Sequence, residues 1–355
     1  MKPIKTPQSS VHFSKEAYAY LNTHLALSNY SKIFILVDEN THEYCLPAFM
    51  SELSGDYSYE IIEIVSGEIN KNLDSCLQVW KVLSELGGDR KSLMINLGGG
   101  VITDMGGYIA ASFKRGIDFI HVPTTLLSMV DASVGGKTGV DLDALKNQIG
   151  IIKEPVMVLV IPEFLKTLEE RQIKSGFAEM LKHGLIEDPI YWQEISKTTE
   201  YGTLEKSIPR SIQIKARVVI QDPFENNIRK NLNYGHTLGH AIESCFLEKG
   251  AQKMLLHGEA IAAGMILEGY LSHKVTGLPL EQLEQITQVF KQHFKKINFS
   301  KEDIDTSLEL LKFDKKNSHG EIRFVLLTKI GEPVSDILIS EDVLREAFKY
   351  YLEQV

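Results

Sequence analysis

The chain has little cysteine, no long apolar run and no surplus of positive charge, and each shortage excludes a class of function. Its 3 cysteines, Cys45, Cys76 and Cys245, stand far apart with no CxxC spacing. They supply neither a disulfide framework nor a thiolate zinc site, and read as reduced structural thiols. The longest unbroken aliphatic stretch, Val156 to Ile161, falls far short of the ~20 residues of a membrane-spanning helix. The opening MKPIKTPQSSVHF lacks the apolar core of a secretory signal, so a cytoplasmic protein is expected, with no membrane partner. With 38 Lys and Arg against 47 Asp and Glu, the net charge is -9. That balance argues against nonspecific nucleic-acid binding and still permits a local basic pocket.

Across its 355 residues the chain is 43% hydrophobic and 24% charged, enough to bury a core in two medium domains. The first half alternates short aliphatic runs with amphipathic stretches, the pattern of strand and helix units in a mainly parallel sheet. Strands are expected at Ile33 to Val37, Glu60 to Val65, Ser92 to Leu97, Phe119 to Val122 and Val156 to Ile161. From about Pro162 the periodicity becomes helical, over Ser207 to Gln221, Leu238 to Cys245, Glu259 to Val275 and Leu280 to Phe294. Glu321 to Thr328 and Val334 to Ile339 read as a hairpin. The expected fold is an α/β Rossmann-like domain over 1–161 followed by a mostly α-helical domain over 162–355, with a cleft between them.

Three segments carry chemistry. Leu97-Gly98-Gly99-Gly100-Val101-Ile102-Thr103-Asp104 follows a strand and opens a helix, so backbone N–H groups at the helix start face an anion such as a pyrophosphate. Asp38 and Asn40, at another strand end, suit either ribose hydroxyls or a plain helix cap. Gly135-Gly136-Lys137-Thr138 imitates the end of a nucleotide-binding P-loop, but Asp131 occupies the place of the leading glycine, so Lys137 reads as a cation for an anionic small molecule. In Asn233 to His240 two histidines stand four apart, on one face of a helix. Glu179 on a helix and His257 at a helix start complete the donors of an open zinc site. Residue types alone leave open which of His236, His240 and His257 bind the metal. Arg115, Lys137, Lys146, Lys182, Lys215, Arg229, Lys315 and Lys316 lie beside these glycines, histidines and turns and are the candidate cations.

Taken together these segments resemble the 3-dehydroquinate synthase family. The likeness runs in order through Asp38-Glu39-Asn40, Ser66-Gly67-Glu68 with Lys71, the triple-glycine loop, Val122 to Leu127 and Val130 to Thr138. It continues through Lys146-Asn147, Phe164 to Thr167, Gly176 to Gly184, Lys215, Arg229, Asn233 to Glu243, His257-Gly258-Glu259 and Asp314-Lys315-Lys316. The resemblance implies a Rossmann-like NAD-binding domain, a helical metal-binding domain with Zn2+ or Co2+, and a homodimer. It implies Glu179, His236 and His257 as metal ligands. For NAD it implies Asp38, Asn40, Glu68, Lys71, Gly99, Gly100, Val101, Asp104, Thr124, Thr125, Lys146, Phe164, Leu165, Lys166 and Thr167. Substrate contacts would come from Asp131, Lys137, Asn147, Lys182, Lys215, Arg229, Asn233, His240, Lys315 or Lys316, and Arg115 from the partner subunit. The implied substrate is 3-deoxy-D-arabino-heptulosonate 7-phosphate (DAHP). Asp141, where the family often has Asn, and Leu145, in place of a glycine, depart from the pattern. Two other enzyme classes compete: a sugar phosphate cyclase acting on substrates without a carboxylate, and a metal-dependent polyol dehydrogenase.

Overall fold

A computed structural model describes residues 2–142, 145–247, 249–250, 253–314 and 322–355. Contacts divide the chain into two compact units, Met1–Glu169 and Glu170–Val355. The turn Pro162–Thr167, which a boundary at 161 assigns to the second domain, folds with the first. Phe164 is buried there, and Thr167 Oγ1 lies 3.9 Å from Cys45 Sγ.

In the first unit the strands are β1 (Ile4–Lys5), β2 (Ser10–Phe13), β3 (Ile33–Asp38), β4 (Tyr59–Ile64), β5 (Leu93–Gly98), β6 (Asp118–Pro123), β7 (Lys137–Leu142), β8 (Leu145–Ile152) and β9 (Met157–Val160). Seven form one sheet in the order β1-β2-β9-β6-β5-β3-β4, parallel except at the β1 edge. Strands β3 (IFILVD) and β5 (LMINLG) are buried almost throughout. Continuous apolar runs of this kind are what a parallel sheet covered on both faces requires. The helices are α1 (Ser14–Leu27), α2 (Glu39–Tyr44), α3 (Leu46–Ser51), α4 (Leu73–Glu85) and α5 (Gly100–Ser112). Ile102, Met105 and Ile109 of α5 pack on Phe34, Leu36, Met94 and Phe119 of the sheet. Because β4 lies on one side of β3 and β5 on the other, the order in which strands are added reverses there. The crevice at the carboxyl ends of β3 and β5 is therefore the ligand-collecting position of this sheet.

All five expected strands form. Strand β2 and the antiparallel β7–β8 hairpin were not foreseen. The first is four residues long, and the second interleaves glycine with Lys, Asp, Asn and Gln, so neither shows an apolar period of its own.

The second unit contains α6 (Glu170–Glu187), α7 (Pro189–Ile195), α8 (Ile208–Gln221), α9 (His236–Leu247), α10 (His257–Val275), α11 (Leu280–His293), α12 (Lys301–Asp314) and α13 (Glu341–Gln354), with the expected hairpin β10 (Arg323–Lys329) and β11 (Glu332–Leu338). Helix α10 packs against α6, α9, α11, α13 and β10. Its sequence, HGEAIAAGMILEGYLSHKV, is small or apolar around most of its circumference, the composition of a helix with neighbours on every side. The hairpin turns at Gly331 (φ 88), whose N–H donates to the Leu185 carbonyl at 2.7 Å. Among the described residues no helix is long and apolar enough to cross a membrane.

Candidate active site

Helices α6, α9 and α10 meet where Gly258 and Gly264 remove the usual side-chain spacer. A Cβ on Gly258 would lie 2.0 Å from the Ser175 carbonyl of α6, and one on Gly264 would lie 2.0 Å from the Gly235 carbonyl that precedes α9. These contacts place Glu179, one turn beyond Ser175, beside His257 at the start of α10 and His236 at the start of α9. Glu268 of α10 reinforces the arrangement: its buried carboxylate accepts from the Gly235 N–H at 2.6 Å and the Leu238 N–H at 3.1 Å. That satisfies otherwise orphaned donors at a helix start.

Glu179 Oε1 lies 3.6 Å from His236 Nε2 and 3.7 Å from His257 Nε2. Both separations exceed hydrogen-bond length. They approach the spacing of roughly 3.4 Å between neighbouring ligands held about 2.1 Å from a tetrahedral zinc. Each imidazole is turned so that Nδ1 engages an acceptor behind it, the Tyr234 carbonyl at 3.2 Å for His236 and Glu243 Oε2 at 3.1 Å for His257. Glu179 is fully buried; Oε2 is paired with Lys182, whereas Oε1, facing the two imidazoles, makes no hydrogen bond. A buried carboxylate in that state calls for a cation. The donor set fits a divalent metal. His236, His240 and His257 offer ring nitrogens within 4.8 Å of one another, so the geometry also brings His240 to the cluster.

Burial opposes the charge of Glu179, but Lys182 first, then His236 and His257, hold its carboxyl well below the usual range. Lys182, itself 1% exposed, forms an ion pair with Glu179 and lies 3.5 Å from His236 Nε2. Burial, helped by Lys182, pushes His236 well below an ordinary histidine and keeps it a neutral donor. Burial also works against the charge of His257, yet Glu243 and Glu179 raise it to about 9.

The expected substrate cations of this unit sit close by in sequence and are buried. Lys215 belongs to α8, and Arg229 and Asn233 lie in the 3-10 segment Ile228–Asn233. Asp222 staples the intervening turn by accepting from the backbone N–H groups of Asn226, Asn227 and Arg229 at 3.0, 2.7 and 3.0 Å. Arg229 Nη1 donates to the Pro223 carbonyl at 2.6 Å, and Asn233 Nδ2 donates to Glu225 Oε1 at 2.6 Å. Lys315 and Lys316 lie outside the described residues.

In the first unit the candidate nucleotide residues gather at the strand ends. Helix α5 starts at Gly100 with Gly99 as its N-cap and no side-chain cap, and Val101 and Asp104 occupy its first turns. Thr124 donates its N–H to the Gly98 carbonyl at 3.0 Å, and Thr125 packs against Gly99. Asp38 caps α2, its Oδ1 accepting from the Thr41 N–H at 2.8 Å, and Asn40 is exposed in the same helix. The helix-cap reading of Asp38 is thus realised. Thr167 of the turn that holds Phe164, Leu165 and Lys166 reaches Cys45, just past that helix.

A charged network joins Glu68, Lys71, Asp104, Lys146 and Asn147. Lys71 Nζ donates to Asp104 Oδ2 and Asn147 Oδ1, both at 2.7 Å, while Lys146 Nζ donates to Glu68 Oε1 at 2.8 Å. Burial disfavours the Lys71 charge, but Asp104, Glu68 and Asp141 outweigh it and raise its pKa. Asn147, expected among the substrate contacts, has its side-chain oxygen in this network. It adopts a left-handed backbone (φ 53), and its N–H donates to Asp141 Oδ1 at 2.7 Å. Asp131 lies in the turn Ser128–Ala132, Lys137 is exposed at the start of β7, and Arg115 is exposed in the turn after α5.

Sequence spacing assigns no role to Asp141, Glu225, Glu243 or Glu268. Only for Glu243 was a signal present: positions 236, 240 and 243 share one helical face.

Both halves of the chain match family descriptions: 3-dehydroquinate synthase N-terminal over residues 61–175 and 3-dehydroquinate synthase C-terminal over residues 176–317. The chain belongs to the 3-dehydroquinate synthase family. The 3-dehydroquinate synthase of Parabacteroides distasonis is 41% identical over 350 residues, 98% of each chain. That of Methylacidiphilum infernorum is 40% identical over 328 residues, 91% of this chain and 88% of the relative. Among solved structures, the 2-epi-5-epi-valiolone synthase of Streptomyces hygroscopicus, with NAD+ and Zn2+ bound, superposes with a TM-score of 0.85 at 23% identity, covering 100% of this chain and 99% of that one. At that identity the likeness speaks for the fold, and family membership rests on the sequence matches.

Proposed function

We propose that this 3-dehydroquinate synthase family member converts DAHP into 3-dehydroquinate and phosphate, acting as a carbon-oxygen lyase of the shikimate pathway in the cytoplasm. The observation that carries the reading is the convergence of Glu179, His236 and His257 in a chain whose two halves both match this family. When bound, Zn2+ or Co2+ polarises substrate hydroxyls and NAD takes up and returns one hydride, so the reaction has no net redox change.

The first unit is assigned to NAD. The uncapped start of α5 offers backbone N–H groups at Gly100 and Val101 to the diphosphate, supported by Gly99 and Asp104. Asp38, Asn40, Glu68, Lys71, Thr124, Thr125, Lys146 and the turn Phe164 to Thr167 orient the rest. The second unit is assigned to the metal through Glu179, His236 and His257, with His240 turned to substrate. Lys182, between Glu179 and His236, moderates the charge at the cluster and donates to a substrate oxygen there.

An acidic protein needs separate cationic clusters for a substrate with a carboxylate and a phosphate, and a charge-assisted contact contributes about 1.5 to 3 kcal/mol. Lys215 and Arg229 are assigned to the carboxylate, with Asn233. The phosphate is assigned to Lys137, Asn147, the Lys315 and Lys316 pair, and Arg115 of a neighbouring subunit in a homodimer. Asp131 is assigned to the substrate as well.

Phosphate release from DAHP, measured with and without NAD and a chelator, tests the reading. Release should require both cofactors while no NADH accumulates. A rate indifferent to both overturns the proposal, and NADH rising in step with product would favour a polyol dehydrogenase.

A further inference from the structure

We propose that Glu243 is a positioning residue: its carboxylate fixes the His257 imidazole with Nδ1–H behind and the Nε2 lone pair forward, and so sets the affinity of the cluster for a divalent cation. The inference rests on the metal reading above and extends it to a residue that is not a ligand.

The two imidazoles facing Glu179 are held by different means. His236 begins α9, and its Nδ1 meets the carbonyl of Tyr234, two residues back on its own chain. Its orientation is therefore local to that helix start, which Glu268 ties down through the Gly235 and Leu238 N–H groups. For His257, at the start of α10, no backbone carbonyl among the described residues plays that part. The acceptor for its Nδ1 comes from another helix, Glu243 of α9 at 3.1 Å, seven residues after His236 and on the same face. Glu243 is 6% exposed, and a carboxylate so buried is costly unless it is paired.

A neutral imidazole carries one proton on either nitrogen, and only the nitrogen without it binds a metal. An acceptor beside Nδ1 holds the proton there and frees Nε2, which is the atom 3.7 Å from Glu179 Oε1. A carboxylate does this more strongly than a carbonyl, because the hydrogen bond is charge-assisted and the bound imidazole becomes a better electron donor. The contact spans α9 and α10, so the helix that carries His236 also aims His257.

The test uses the full chain, stripped by chelator and titrated with Zn2+ or Co2+ against a competing chromophoric chelator. Loss of an outer-sphere partner of this type costs about 10- to 100-fold in metal affinity. Glu243→Gln keeps an acceptor but loses the charge, and should weaken binding near the lower end of that range. Glu243→Ala should approach the upper end, and with the cation added, imidazole 15N shifts should show His257 no longer held with Nδ1–H behind and Nε2 bound. Urea midpoints of the stripped proteins separate this from simple unfolding. Should Glu243→Ala not fold, Glu243→Gln carries the test by itself. Wild-type affinity in the folded Glu243 variants, with Glu179→Ala binding poorly, overturns the role of Glu243 alone. A wild-type chain that takes up no stoichiometric cation overturns the metal reading instead.

Discussion

Replacing Gly264 by alanine asks whether close helix packing is what builds the proposed metal cluster. The new Cβ would lie 2.0 Å from the Gly235 carbonyl oxygen and 2.8 Å from the Gly239 backbone nitrogen, both main-chain atoms that no rotamer change can move aside. Comfortable non-bonded contact begins near 3.5 Å, so α10 must retreat from α9 by roughly 1 Å or more. Overpacking of this kind costs about 1 to 3 kcal/mol of stability. The consequence for the site is larger in proportion. His236 and His257 sit at the starts of these two helices, each within 3.7 Å of one oxygen of Glu179. Metal–ligand distances tolerate about ±0.2 Å. Gly264→Ala should therefore keep the fold, with a lowered urea midpoint, and lose Zn2+ or Co2+ affinity by at least tenfold in chelator competition. Gly277→Ala is the control: its φ of 84 strains an alanine as well, but nothing lies within 4 Å of the added carbon. A Gly264→Ala protein with wild-type metal affinity would refute the packing argument.

Four further outcomes follow from the same contacts. In a double-mutant cycle on Lys71→Met and Asp104→Asn, each single change should destabilise by about 3 kcal/mol, as expected when one partner of a buried ion pair is removed. The double change should cost clearly less than their sum, and strict additivity in urea unfolding would deny the pair a role. His121, in β6 beside Asn96, is pushed down to about 3 by burial. Between about 6.5 and 3 the unfolded imidazole holds a proton that the folded one refuses, so this group lowers stability as pH falls, by about 1.4 kcal/mol per unit. The stability of His121→Asn should therefore decline less steeply with acid than that of the wild type across this window; parallel curves would refute the assignment. Arg229→Gln should weaken a phosphate-free carboxylate analogue by tenfold or more in calorimetry, and unchanged binding would remove Arg229 from the carboxylate cluster. Glu268→Gln leaves an amide nitrogen facing one of two backbone donors, and should lower the urea midpoint and weaken metal binding together; a shift in only one would separate the cap from the cluster.

The alternation of buried strands with helices, the glycine turn after β5 and a carboxylate-plus-histidine donor set were legible in the sequence, but which of His236, His240 and His257 belong to that set was not. Their signals are local: an apolar run, a turn that needs glycine, a histidine at a helix start. Strand β2 and the β7–β8 hairpin were not legible, because what makes them strands is a partner elsewhere in the chain. The same holds for Asn147, whose side-chain oxygen is taken by Lys71, 76 positions away, and for Asp141, which holds the Asn147 backbone. Sequence by itself determined which chemistry the chain can carry. Tertiary structure alone decided that Glu243 stands behind His257 and that Gly258 and Gly264 let three helices approach closely enough to bring Glu179, His236 and His257 together. Those contacts join segments far apart along the polypeptide, and such proximity leaves no periodicity in the sequence to read.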